Sequence, residues 1–163
     1  MASLSDSLVR NLLEGRYIAA FSSHNEDGSI HIVSVWYLFD GSSLYIATSS
    51  RSRKARNVRL NSSVSLMVDS RDVAASCGVN VSGTGEILQS GLSKQWVERV
   101  HHKYLTEAAL RDAKVGPVFA AADDVAIKIT PASVISWDMR AIDQQYFGGA
   151  IGNNPGYLLP LAC

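Results

Sequence analysis

Residues Ile30 to Phe39 form a run between two Asp-Gly pairs, Asp27-Gly28 and Asp40-Gly41, and its residues are apolar on both faces at strand spacing. Ile30, Ile32, Trp36 and Leu38 share one face, and Val33, Val35, Tyr37 and Phe39 the other, with only His31 and Ser34 interrupting. A half-solvated antiparallel strand shows one polar face, so this one predicts cover on both sides. One side is the core. The other calls for a helix, a partner subunit or a flat apolar ligand. Asp-Gly favours the positive φ angles of a two-residue hairpin turn, so the run is expected to be strand two of a meander. A tight turn at Asp40-Gly41 pairs Phe39 with Ser42, Tyr37 with Leu44, Ser34 with Ala47 and Val33 with Thr48.

Similar alternation predicts further strands at Tyr17–Ser23, Leu44–Thr48, Val64–Asp69, Val79–Ile87 and Val125–Thr130. Asp69 to Gly78 reads as a loop. In the fifth strand Val79, Val81 and Ile87 point inward and Asn80, Ser82, Thr84 and Glu86 outward; Gly83 and Gly85 on the inward side suggest a bulge or close backbone approach. Pro131 adds a bulge or an edge before Val134–Trp137. Asp6 caps a first helix carrying Leu8, Val9, Leu12 and Leu13, with Gly15 just past its end. Ser90–Leu105 reads as a helix with Leu92, Trp96, Val100 and Tyr104 on one stripe. Thr106 starts a second helical piece, which Gly116-Pro117 breaks. The expected fold is mainly β with flanking helices: a six-stranded antiparallel barrel in one domain over residues 1–138. The tail, residues 139–163, is too apolar for a linker and too rich in Gly and Pro for regular structure, so it is expected to pack on the barrel or a partner subunit.

Charge is concentrated in one place. Five of the 15 Lys and Arg residues (Arg51, Arg53, Lys54, Arg56 and Arg59) lie within nine positions, and no acid occurs from Gly41 to Val68, although the formal net charge is zero. Ser52 is placed to cap a helix there, so backbone N–H groups, a hydroxyl and cations converge on a point suited to phosphate. A solvated basic helix or a nucleic-acid patch is the competing interpretation of this stretch alone. The hairpin register sets it beside the two-sided apolar strand, which suits a flat apolar group carrying a phosphate.

Other classes find little support. At 163 residues and 47% hydrophobic, the chain suffices for one ordinary core. No apolar run reaches 18 residues and no signal-like N-terminal pattern occurs, so a soluble cytoplasmic protein is expected, without membrane association. Cys77 and Cys163 lack ligand spacing, and His101-His102 points to different helix faces, so neither a disulfide scaffold nor a metal site is expected. A sequence pI near 6.9 and the absence of aromatics between Thr48 and Arg59 argue against nucleic-acid binding.

Val35-Trp36-Tyr37, Asp40-Gly41, Leu44-Tyr45-Ile46-Ala47-Thr48 and Ser52-Arg53-Lys54-Ala55-Arg56-Asn57-Val58, in that order, resemble the pyridoxamine-phosphate-oxidase-like family of flavin-binding split barrels. Gly83-Thr84-Gly85-Glu86 and Lys128-Ile129-Thr130-Pro131 extend the likeness over roughly residues 8 to 138. The resemblance implies a split barrel and a homodimer with two FMN sites between subunits, which would explain the second covered face. It implies that Ser52, Arg53 and Lys54 bind the phosphate, that Ala47 and Thr48 contact the cofactor, and that Val33, Ser34, Val35 and Trp36 line the isoalloxazine. Asn80 would reach the cofactor from the other subunit, and Asn57 would bind phosphate or brace the helix.

The Arg and Lys that flank this strand in pyridoxamine phosphate oxidases proper are absent, as is their C-terminal Arg and His pattern, so vitamin B6 oxidation is not expected. The implied activity is FMN-dependent oxidation or reduction of a small molecule. A deazaflavin coenzyme at the same site, or a non-catalytic flavin or tetrapyrrole-binding module, are the alternatives. No catalytic residue is singled out; His31 could act as an acid or base, against the simpler interpretation of a surface strand histidine.

Overall fold

A computed structural model describes residues 2–72 and 76–160. Seven strands form one antiparallel sheet, β1 (Ala19–His24), β2 (Ile30–Val35), β3 (Leu38–Phe39), β4 (Leu44–Ser49), β5 (Ser63–Asp69), β6 (Cys77–Ile87) and β7 (Asp124–Asp138), in the order β2-β1-β5-β6-β7-β4-β3. The two outermost strands are consecutive in the chain. The sheet therefore curls until its ends meet at Trp36-Tyr37, and it opens where β2 pairs with β1 while β4 pairs with β3 and β7. This is the split barrel expected, with seven strands instead of six because the second breaks in two.

The break is built by Tyr104 on α3 (Ser90–Tyr104). At Tyr37 the backbone leaves the β1 ladder, and its N–H would be orphaned there. The Tyr104 hydroxyl accepts that N–H at 3.3 Å and donates to the Tyr17 carbonyl at 2.6 Å, while its ring stacks on Trp36 at 4.9 Å. Tyr37 is fully buried, and its hydroxyl donates to the carbonyls of Leu12 (2.8 Å) and Gly15 (3.2 Å). Tyr17 and Ile18 thus precede the first strand instead of belonging to it.

The same break overturns the expected register. Phe39 pairs with Leu44, not Ser42, and Ser34 and Val33 pair with Ala20 and Phe21 instead of Ala47 and Thr48. The cause is the Asp40 carboxylate, which accepts the N–H groups of Ser42 (2.9 Å) and Ser43 (2.8 Å) and enlarges the turn to four residues. Gly41 supplies the positive φ of 100° that the loop needs.

Inside, Phe21, Leu44, Ile46, Leu66, Val79, Val81, Ile127 and Ile129 form the core, joined by Val9, Leu12 and Leu13 of α1 (Ser7–Glu14). Asp6 starts α1, though its carboxylate accepts the N–H of Ser3 and none from the helix. The expected bulge is at Pro131: Ser82 pairs with Ser133 and Gly83 with Pro131, leaving Ala132 over. A Cβ on Gly83 would lie 2.1 Å from the Thr130 carbonyl oxygen, so the bulge requires glycine there.

Three helical expectations need correction. The buried residues of α3 are Ser93, Val97, Val100 and His101, whereas Leu92 is exposed, because the helix meets the sheet one position round from the expected stripe. Thr106 caps α4 (Glu107–Arg111) through Ala109 N–H, as expected, but Gly116-Pro117 opens α5 (Gly116–Ala121), proline being well accommodated in a first turn. The tail is also helical, with α6 (Met139–Phe147) and α7 (Ala150–Asn153). Its glycines serve as the joint: Gly148 and Gly149 take φ of 59° and 80°, and the Asp143 carboxylate accepts the N–H groups of Ile151 and Gly152 at the start of α7. Tyr146, Phe147, Tyr157 and Leu159 of the tail are exposed rather than packed on the barrel of this chain. Residues 73–75 of the expected loop, and Cys163, lie outside the described residues. No described helix is long and apolar enough to cross a membrane.

Candidate functional site

Thr48 and Ser49 end β4, and after a short turn Ser52 caps α2 (Arg53–Leu60). The Ser52 hydroxyl accepts the Ala55 N–H at 3.2 Å and the hydroxyl of buried Thr48 at 3.1 Å, and the Ser52 carbonyl accepts the Arg56 N–H. That leaves the N–H groups of Arg53 and Lys54 as the orphan donors of the helix start. Residues in this first turn also feel the positive end of the helix dipole, so the local field favours an anion.

The five cations divide by role. Arg59 donates to the Ser50 carbonyl at 2.9 Å and Arg51 lies 3.6 Å from the Asp123 carboxylate, so both secure the turn. Arg53 and Arg56 line an open groove of about 640 Å³ against the β1–β2 hairpin, which contributes Glu26 and Asp27. Lys54 turns the other way and is half-buried. Desolvation lowers its pKa, partly offset by the negative charge of Asp124.

Lys54 enters a cleft of about 370 Å³ at the split of the barrel, together with Ile18, Ser34, Val35, Trp36 and Ala47. The strands that hold these residues do not pair with one another. Separation of β2 from β4 is what makes room for a ligand, so the cleft arises from the strand break and not from the side-by-side register the hairpin suggested. His101, Phe119 and Asp124 close its far side. His31, half-buried on β2, has its pKa lowered by desolvation and further by Arg53 and Lys54, which places it within electrostatic reach of both cations.

Five of the residues singled out from sequence therefore converge on one cleft: Ser34, Val35, Trp36, Ala47 and Lys54. Thr48 and Ser52 lie behind it as the cap, and Arg53 is at its flank. Val33 packs against the core. Asn57 is buried, its amide donates to the Ser23 hydroxyl (3.1 Å) and the Asn25 side-chain carbonyl (3.0 Å), tying α2 to the β1–β2 hairpin, and it lines the groove of Arg53 and Arg56. Asn80 lies elsewhere, on the outer face of the sheet, hydrogen-bonded to Ser65 at 2.6 Å and Ser82 at 3.2 Å. It is not among the residues that line the cleft of Lys54.

His101, Phe119 and Asp124 escaped the sequence reading. The signal for His101 was present in the spacing Val97, Val100, His101, Tyr104, a helical stripe one position away from the one chosen. Phe119 lay in a stretch read as a break, and Asp124 was hidden at the start of a strand. His101 is 7% exposed, its Nε2 lies 3.6 Å from the Asp124 carboxylate, and its ring meets Phe119 edge-on at 4.8 Å. Burial lowers its pKa, with Asp124 acting in opposition. Among the described residues no group of three or more His, Cys, Asp and Glu side chains could hold a metal ion.

No curated protein matches the chain. Among solved structures, it is similar to a conserved hypothetical protein of Mycobacterium tuberculosis, with 19% identity over 98% of this chain and 91% of that one, and a TM-score of 0.69. It is also similar to an F420 reductase (22% identity, 77% and 94% covered, TM-score 0.57) and to an FAD-binding protein of Mesorhizobium loti (20% identity, 79% and 91% covered, TM-score 0.59). At these identities the likeness concerns the fold. The sequence model of the pyridoxamine 5'-phosphate oxidase family matches residues 6–138, from the start of α1 to the end of β7. With that match spanning the whole barrel and the cleft at its split, the chain belongs to the pyridoxamine 5'-phosphate oxidase-like family of split barrels.

Proposed function

We propose that this protein is an FMN-dependent oxidoreductase acting on a small organic molecule, with the cofactor in the cleft at the split. The observation that carries the proposal is the union, in one cleft, of an apolar strand edge (Val35, Trp36) with a half-buried lysine at a helix start whose first N–H groups are unpaired. The volume of about 370 Å³ is in the range of small-molecule sites, and the groups present match a flat ring at one end and a phosphate at the other.

When bound, a flavin would supply the hydride or electron transfer, and the protein supplies placement and electrostatics. Lys54 would hold the phosphate from inside the cleft and Arg53 from its flank, assisted by their own N–H groups. Trp36 is fixed in orientation by its stack on Tyr104, so it offers a rigid wall. Ser34 provides a hydroxyl at the exposed edge of β2. Donors of this kind stabilise negative charge that accumulates on a reduced ring.

A homodimer is part of the proposal. On the outer face of the sheet β2 presents Ile30 at 64% exposure and Ile32 at 66%, and β7 presents Ile135 at 58%, with the row Ser34, Ala20, Met67 and Asn80 crossing β2, β1, β5 and β6 to reach Ile135. A second copy on this face would give strand two its second cover and bring Asn80 toward the partner's cleft. Titration of cofactor-free protein with FMN and with a deazaflavin coenzyme tests the reading. FMN should bind one per chain and more tightly; no uptake of FMN would refute the proposal, and tighter deazaflavin binding would transfer it to that coenzyme.

A further inference from the structure

A second cavity, of about 670 Å³, lies between α3, the α4–α5 segment and the first residues of β7. It shares His101, Phe119 and Asp124 with the cofactor cleft, so the two spaces meet at these three side chains. We propose that this cavity is a binding site for a small aromatic molecule bearing an amine or hydroxyl donor, the second reactant if the flavin reading holds. The role as second reactant rests on that reading; the binding itself does not.

Shape and apolar lining come first. Val97 of α3 and Phe119 of α5 provide facing apolar walls, and Ala120 is an exposed residue at the rim. The volume accommodates one ring with a short side chain. Polar side chains line the rest of it, Ser93, Lys94, Glu98 and His102 among them, and at the junction His101 and Asp124 face each other. His101 directs Nε2 at the Asp124 carboxylate, at 3.6 Å, longer than a direct hydrogen bond. A nitrogen facing a carboxylate carries the proton, leaving Nδ1 as an acceptor. The junction therefore presents the acceptor oxygens of Asp124.

Charge points the same way. Glu98, Asp123 and Asp124 line the cavity against one lysine, Lys94. Asp123 is held by the Ser50 hydroxyl and Arg51, but the Asp124 carboxylate faces the shared wall. A ligand with an N–H or O–H donor can hydrogen-bond to the Asp124 carboxylate, and a ligand carboxylate would meet it as a like charge.

Three matched probes test this: phenethylamine, 4-ethylphenol and 3-phenylpropanoate, added to the full chain with and without FMN. The readout is the imidazole ¹⁵N and ¹H shifts of His101, separated from those of His102 by the variant His102→Asn. The amine and the phenol should shift His101 saturably, the propanoate should bind at least tenfold more weakly, and Ala120→Trp, which fills the rim from an exposed position, should abolish the response. Equal binding of the propanoate, no saturable shift with any probe, or an unchanged response in Ala120→Trp would overturn the proposal. Probe binding without FMN uptake would sink only the flavin reading, and FMN uptake without any probe effect only the cavity.

Discussion

Replacing Tyr104 by Phe removes one oxygen from the place where strand two divides, and the structure allows its cost to be worked out. The hydroxyl serves two backbone groups, accepting the Tyr37 N–H and donating to the Tyr17 carbonyl. A buried polar group left unpaired costs about 1–3 kcal/mol. Tyr104 is half-buried, so water reaches part of the site, and we expect about 2 kcal/mol for the pair, at the low end of that range. With a urea m-value of about 2 kcal/mol/M for a domain of this size, the unfolding midpoint falls by about 1 M. The ring still stacks on Trp36, so FMN affinity of the folded variant should stay within about threefold, less than 1.4 kcal/mol. Urea unfolding followed by far-UV circular dichroism, with FMN titration of the same sample, measures both. A midpoint unchanged within 0.2 M, by roughly that m-value, would mean that Tyr104 does not hold the split, and the account of the strand break would be wrong.

Two further outcomes follow from the same geometry. Burial pushes the pKa of Lys103 down to about 8, with Arg16 adding to the effect, and its ammonium lies 4.0 Å from the Tyr37 ring. The unfolded chain then binds more protons between pH 8 and the ordinary lysine value near 10.5, so stability should rise with pH across that window and be complete above it. Denaturation at pH 8 and pH 9.5 should show this rise in the wild type and a smaller one in Lys103→Met; equal rises would refute the assignment. The double variant Ile32→Asp, Ile135→Asp places charges on the exposed outer face, and under the proposed dimer sedimentation equilibrium should find twice the chain mass for the wild type and a monomer for the variant. Unchanged mass would move the dimer interface elsewhere.

Much of the barrel was legible because alternation is a local signal. Val64, Leu66 and Val68, or Val79 and Val81, announce their inward face within a few residues, and the structure buries all five. The Ser52 cap and the Thr106 cap were legible for the same reason: each is a contact within three residues. What sequence could not show were the contacts made across the fold. Tyr104 breaks a strand 67 residues away, and Asp40 outcompetes the hairpin turn its own Asp-Gly suggests. Lys54 and Ser34 were brought together by a wrong register, yet they do share a cleft, because the chain curls until the ends of the sheet meet. His101 and Phe119 depended on how α3 and α5 lie over the sheet, which no local pattern encodes. The tail differed in the other direction: Gly148, Gly149 and Pro155 suggested irregular chain, but the two glycines join α6 to α7 and Pro155 opens a 3-10 turn.

The most direct test of the central claim is FMN affinity of the double variant Arg53→Ala, Lys54→Ala. Both side chains lie at the surface of α2, one exposed and one half-buried, so the fold should survive and circular dichroism should be unchanged. Each charge-assisted hydrogen bond to a phosphate contributes about 1.5–3 kcal/mol, and with partial exposure the lower value applies to both, about 3 kcal/mol together. At 1.4 kcal/mol per tenfold, the Kd for FMN should rise by roughly 100-fold or more. A folded double variant that binds FMN within about threefold of the wild type, under 1 kcal/mol, would contradict the placement of the cofactor at the start of α2.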